Sequence, residues 1–425
     1  MPSVVGDIGG AAFYAWTTML YMVASIVGAA SSAPIKAGLG IRRCYFLAAL
    51  GFLVGSAICA MAPDMAVLLM GRVVKGLGGG LLIATNMMLV SEIYPEDIRT
   101  RALSTMSAMW GMAAMLGPMI GGIFAEFGGW RGAFWFSVPI IILFSAMAWW
   151  RLPESEIASS VPRFPVYRLA MLGSGVMCVA AAGNIHGLTA RLALIAAAVA
   201  LVVMTFRRDH GAEHRLVPTR PLSLYRPVGT AYWIMFLFTF THSSIGVFIP
   251  LVVQVVHGAS PLIAGYFTTI MVISWTAATL AGAGLQGRAV RFVVGMGPLL
   301  LVTGMAGVAL VVTTGPLPLL AGCICLAGLG IGSCLAHMVN WTMTAADPGE
   351  ESVTASSIPT VRSLGIAFGA SSAGLIANTA GLGDGISVET VTMAANWVYG
   401  VAVVPAALIA LLAFRLLWLR RAIVV

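Results

Sequence analysis

Long apolar stretches separated by short polar ones run the length of the chain. A bilayer crossing takes about 20 apolar residues of helix. Stretches of that kind lie at 11–33, 44–62, 66–90, 102–123 and 132–150, then at 168–186 and 191–206, and finally at 228–256, 261–285, 291–312, 317–340, 359–380 and 394–418. The pattern predicts about 13 spans, all helical, because a helix satisfies its own backbone polar groups inside lipid. The pair within 168–206 is short and joined by a tight turn, and the wide polar segments 151–167 and 207–227 bracket it. This divides the chain into a front bundle of five spans at 1–150, a linker with two extra spans at 151–227, and a rear bundle of six spans at 228–425.

The basic residues test this division. Lys36, Arg42, Arg43, Arg99, Arg101, Arg151, Arg163, Arg168, the run from Arg207 to Arg226, Arg288, Arg291, Arg362, Arg415, Arg420 and Arg421 all fall in every second inter-span segment, in the span ends that border it, or at the C-terminus. The alternate segments hold only Arg131 and Arg191, and Arg72 and Lys75 lie inside a span. A wrong span count would break the alternation. Basic loops face the cytoplasm, so the C-terminus is expected to be cytoplasmic and Met1 external, in a multi-pass protein of the cell (inner) membrane.

Composition agrees. Apolar residues make up 60% of the chain and charged residues 9%, whereas a soluble domain carries about 25% charged residues. The formal charge of +8 is then a loop property and does not point to nucleic acid. The six cysteines, Cys44, Cys59, Cys178, Cys323, Cys325 and Cys334, lie in or beside apolar runs without metal-ligand spacing, and read as small apolar helix residues. No metal set, phosphate loop or nucleophile–base cluster is present, so neither a cofactor nor an enzyme activity is expected. No cleavable signal peptide is visible, and uncleaved spans take its place.

Inside the spans, polar residues are few. Arg72 and Lys75 lie in Gly71-Arg72-Val73-Val74-Lys75-Gly76-Leu77-Gly78-Gly79-Gly80. A cation at mid-membrane costs at least about 2.5–3.5 kcal/mol on insertion scales, so Arg72 either faces a wet cavity or clamps neighbouring backbone carbonyls, and Lys75 can also snorkel. The adjoining glycines are suited to close helix packing. His242 is mid-span and titrates near neutrality in water; it either carries a proton or bonds a neighbouring hydroxyl or carbonyl. His337 and Asn340 read as helix–helix hydrogen bonding or cavity lining, and Tyr21, Ser25, Thr85, Asn86 and Gln254 as candidate cavity lining. The span at 102–123 contains Gly117-Pro118-Met119-Ile120-Gly121-Gly122. Its small residues permit close backbone approach, Pro118 removes a ladder hydrogen bond, and a packed, kinked helix is a candidate pivot.

These residues resemble the major facilitator superfamily, in particular its fourteen-span drug:proton antiporters. Gly117-Pro118-x-x-Gly121-Gly122 is similar to the antiporter motif of the fifth helix, and Arg72 with Gly76 to the R-x-x-x-G signature of the fourth. Trp130-Arg131, Phe134-Trp135 and Val138-Pro139 resemble the start of the sixth helix, and Pro250, Gln254, Gly258, Ser260-Pro261 and Ala264-Gly265 the opening of the rear bundle. The resemblance implies an all-α membrane protein with the major facilitator fold, two helical bundles and an extra central helix pair. It implies alternating access and efflux of small amphipathic molecules, drugs or metabolites, coupled to proton influx. Its partners would be a small-molecule substrate, protons and the lipid bilayer, with the protein a monomer. A facilitator or exporter of one metabolite, or a transport-inactive sensor or scaffold, are the alternatives.

Three departures from the family pattern stand out. The loop after the second family helix keeps Gly40, Arg42 and Arg43, but Ala37 replaces the acid of the gating motif, and the rear loop 285–291 also lacks one. No Asp or Glu falls within the stretches set out above, which leaves His242 as the titratable candidate. The opening Met1–Gly10 resembles the outer end of the family's first helix, so the expectation is that this helix, with its acid, precedes Met1.

Overall fold

The architecture comes from a computed structural model, which describes all residues except 1, 94–108, 110–111, 114–115, 118, 153–165, 186, 211–216, 349 and 424–425. The helices are α1 (Pro2–Ile8), α2 (Trp16–Ala30), α3 (Ser32–Leu39), α4 (Ile41–Ala60), α5 (Met65–Ile93), α6 (Trp130–Arg151), α7 (Val166–Ala182), α8 (Leu188–His210), α9 (Pro227–Val255), α10 (Pro261–Gly282), α11 (Arg288–Val311), α12 (Leu317–Thr344), α13 (Glu351–Thr379) and α14 (Val388–Ile423). A π-helical turn, Phe124–Gly128, precedes α6. Among the described residues, eleven helices are long and apolar enough to cross a membrane, and Tyr167–Ala182 is apolar but shorter. Most of the span expected at 102–123 lies outside the described residues.

The ends of the helices follow local chemistry. Pro227 and Pro261 open α9 and α10, where a missing N–H costs nothing. Gly40 and Gly287 precede α4 and α11 with φ of 77° and 55°, a region that favours glycine. These are the corresponding loops of the two halves.

Two groups of helices pack around central members. In the front group α5 lies between α2 and α4, and α6 packs on α4. In the rear group α12 lies between α10 and α11, α14 packs on α11, and α9 packs on α13 and α14. The pair α7–α8 rests through α7 on both α2 and α13.

The close approach at each centre depends on three glycines at alternate positions. A Cβ on Gly76 or Gly80 would meet the carbonyl oxygens of Tyr21 and Ser25 on α2 at 2.5 and 1.9 Å, and one on Gly78 would meet Phe52 N on α4 at 2.3 Å. In the rear group a Cβ on Gly328 or Gly332 would meet the oxygens of Met271 and Trp275 on α10 at 2.6 and 2.1 Å, and one on Gly330 would meet Leu301 N on α11 at 2.5 Å. The same three-residue lock is thus built twice, on helices that occupy equivalent places. This gives the molecule an internal pseudo-twofold relation.

The bundles meet at the end opposite the basic loops. There Tyr14 packs on Phe248 with ring centroids 5.6 Å apart, Asn378 Nδ2 donates to Ala12 O at 2.7 Å, and α1 rests on α9. Glu126 in the π turn accepts a hydrogen bond from Leu262 N at 3.0 Å. These contacts close the molecule at that end.

Candidate functional site

Arg72 lies about two turns into α5 from the closed end. Its Nε donates to Thr17 O at 2.7 Å, and its guanidinium lies 4.7 Å from the centre of the Tyr21 ring. One turn further on, Lys75 Nζ lies 4.6 Å from the centre of the Phe52 ring and 5.0 Å from that of Phe134. Among the described residues no carboxylate pairs with either cation. Arg72 therefore combines a backbone clamp through Nε with terminal N–H groups left for other partners, while Lys75 points toward α4 and α6, away from Tyr21. Cation–π contact contributes about 0.5–2 kcal/mol each, less than the cost of holding a cation in the membrane.

His242 lies at the middle of α9. Its Nδ1 is 3.3 Å from Met271 Sδ on α10, and its ring meets the Trp275 ring edge-on at 5.5 Å. The sequence pattern counts Arg362 with the basic loops. In the structure α13 already starts at Glu351, so Arg362 lies about three turns inside the helix. Its Nε is buried with no hydrogen-bond partner among the described residues. The polar opening of the helix, Glu351 to Thr360, conceals this in the sequence.

The other sequence candidates divide. Tyr45 donates its hydroxyl hydrogen to Asn86 Oδ1, and Thr85 Oγ1 donates to Leu81 O at 2.7 Å and lies 3.5 Å from Cys44 Sγ; this group joins α5 to α4. His337 Nε2 lies 3.0 Å from Gly282 O, which ties α12 to the end of α10. Gln254 is half-buried near one end of α9, and Asn340 is exposed near the opposite end of α12. Arg42 and Arg43 open α4, with the Arg42 guanidinium 4.5 Å from the Trp149 ring centre and Arg43 exposed. An apolar groove of ≈ 540 Å³ between α4 and α6, lined by Phe46, Leu50, Leu53 and Trp149 among others, contains none of the candidate residues.

In the antiporter-like segment, a Cβ on Gly117 or Gly121 would meet nothing within 4 Å among the described residues. A Cβ on Gly122 would lie 2.9 Å from Pro261 O and 3.0 Å from Leu262 Cα of the rear bundle. Pro118 lies outside the described residues.

Two further acids are not found by the apolar pattern. Asp209 ends α8, where it is buried and ion-paired with Arg168 of α7, and its Oδ2 also accepts from Val217 N at 3.1 Å. Glu126 reaches a partner 136 residues away. Near the basic end, the segment before α9 is strapped to the turn between α12 and α13. There Thr219 N donates to Glu350 at 2.8 Å, and Arg226 pairs with Asp347.

Two pseudo-symmetric helical bundles with an added central pair, closed at one end and carrying cations within the helices, define a polytopic membrane transporter fold. The family model of the Major Facilitator Superfamily matches residues 1–370. The chain is 30% identical over 409 residues to a probable multidrug-efflux transporter of Mycobacterium tuberculosis, covering 93% of this chain and 86% of that protein. It is 26% identical over 297 residues to multidrug resistance protein 3 of Bacillus subtilis, covering 68% and 57% respectively. Its fold matches the crystal structure of the peptide transporter PepTSo with a TM-score of 0.63 at 14% identity, covering 97% of this chain and 90% of that one. The chain belongs to the Major Facilitator Superfamily.

Proposed function

We propose that this transporter exports small amphipathic molecules, drugs or metabolites, by alternating access, with proton influx as the driving reaction. The observation that carries this reading is the 30% identity to a multidrug-efflux relative across 93% of the chain. The geometry supports it: the two bundles are separately locked by glycine and joined at one end, so rocking at that joint would open the opposite face. We place the basic loops and the C-terminus in the cytoplasm by their charge, which makes the closed end external. His242 is the proton-carrying candidate and Arg72 the charged partner of the pathway. Proteoliposomes holding the purified protein test the reading with two fluorescent amphiphiles, one anionic and one cationic. An imposed pH gradient should accelerate movement of whichever is carried, and His242→Gln should abolish the acceleration while leaving downhill movement. Movement that ignores the gradient would favour the second reading, a facilitator. That reading is favoured by the lack of a carboxylate in the middle of any described span.

A further inference from the structure

Arg72 and Lys75 lie within the span Met65–Asn86, Arg362 lies about one and a half turns inside the span Ser357–Thr379, and His242 is the titratable group at mid-span. No carboxylate accompanies them among the described residues. An uncompensated cation inside a membrane protein is held at a free-energy cost, and such residues mark substrate or ion pathways. Two of the three have unused hydrogen-bonding capacity. Arg362 Nε is buried without a partner among the described residues. Arg72 uses Nε on Thr17 O and its face on Tyr21, which leaves the terminal nitrogens of its planar fork. A guanidinium fork matches carboxylate, sulfonate and phosphate oxygens in a bidentate geometry.

The two arginines stand at different depths and in different bundles. Arg72 is about two turns from the closed end on α5, and Arg362 about three turns from the basic end on α13. Helix α2 packs against both α5 and α13, the helices that carry the two arginines. His242, with Trp275 edge-on to it, lies at mid-helix on α9, which packs against α13. An acidic group entering from the basic end would encounter Arg362 first, with the Trp275 and Phe236 rings on the neighbouring helices for its apolar part. Arg72 would be the cation nearest the exit.

We infer that the molecules this transporter carries are small amphipathic monoanions, whose acidic group is bound by Arg362 on the basic side and by Arg72 on the closed side. The inference rests on the exporter reading and adds the charge of the substrate to it. In a cell with an inside-negative potential, the outward movement of such an anion is favoured by the field.

The test compares two probes on the same purified protein in proteoliposomes: the monoanion 1-anilinonaphthalene-8-sulfonate and the cation ethidium. The expected result is saturable movement of the sulfonate. Arg362→Gln and Arg72→Gln should each lower it at least tenfold per molecule of reconstituted protein, and the charge-retaining Arg362→Lys and Arg72→Lys should recover a measurable part. Should the Gln variants fail to insert, sulfonate quenching of tryptophan emission in detergent, wild type against the Lys variants, takes their place. Weaker binding to the Lys variants is then expected, because the fork is lost. Movement of ethidium without the sulfonate, or sulfonate movement or quenching indifferent to both arginines, would overturn the anion assignment and leave the exporter reading standing. Movement of neither probe would overturn both.

Discussion

Glu126 of the front bundle accepts a hydrogen bond from the backbone N–H of Leu262, in the first turn of a helix of the rear bundle, at 3.0 Å. The chemistry of that turn explains the choice of donor. Pro261 has no N–H, and Ser260 Oγ accepts from Ile263 N at 3.3 Å, so the Leu262 N–H is the first-turn donor left over. A carboxylate at a helix N-terminus is favourable.

Glu126→Ala should therefore loosen the closed end. Loss of a capping acceptor costs about 0.5–2 kcal/mol, equivalent to roughly a 2- to 30-fold shift toward opening. A cysteine at Leu262, labelled with a membrane-impermeant maleimide, should react faster by that factor in the Ala variant. An unchanged labelling rate would remove Glu126 from the closure.

Bulk beside this contact should act in the same sense. A Cβ at Gly122 would crowd Pro261 O at 2.9 Å, whereas one at Gly117 meets nothing within 4 Å among the described residues. Gly122→Val should lower transport about fivefold or more, since overpacking costs roughly 1–3 kcal/mol, and Gly117→Ala should transport normally. Equal effects at both positions would show that the segment packs differently.

The twin glycine locks predict matched losses. Gly80→Ala and Gly332→Ala place a methyl 1.9 and 2.1 Å from the carbonyls of Ser25 and Trp275, and both should depress the melting temperature in detergent by similar amounts. Gly246→Ala, with nothing within 4 Å, should not. A large loss in one half alone would contradict the equivalence of the two centres.

The fourth prediction concerns pH. Arg131 and Trp130 hydrogen-bond the Asp7 carboxylate and hold its pKa below the ordinary value. A depressed carboxylate stabilises the folded form above its unfolded pKa, and the contribution fades as pH falls through the folded one. Protection of Pro2–Ile8 from hydrogen exchange, corrected for intrinsic rates, should stay constant from about pH 8 to about pH 5 and fall below that. In Asp7→Asn it should be low throughout.

Periodicity and charge made most of the fold legible. Runs of about 20 apolar residues and basic segments at every second turn fix the spans without any long-range information. Gly76, Gly78 and Gly80 announce close packing, yet their counterparts Gly328, Gly330 and Gly332 become recognisable only when the helices beside them are seen. The site was harder to read, because each missed residue depends on where a helix begins or ends. Arg362 stands in a helix whose first turns are polar. Asp209 lies beyond the apolar run but within the helix, and it is neutralised by Arg168. Glu126 lies on an irregular turn, and its partner is brought to it only by the joining of the bundles. His242 was legible as a mid-span titratable group, but its Met271 and Trp275 neighbours were not.

The doubled glycine lock also determines which parts of the molecule can yield. Three helices whose backbones touch form a stiff slab, because no side chain lies between them to change rotamer. The chain contains two such slabs, and deformation is then concentrated in the seam that joins them. A thicker or thinner bilayer should tilt the slabs as units rather than bend their helices. Lipid thickness would in this way reach the transport cycle through the seam, making turnover a function of acyl-chain length even where no lipid occupies a dedicated site.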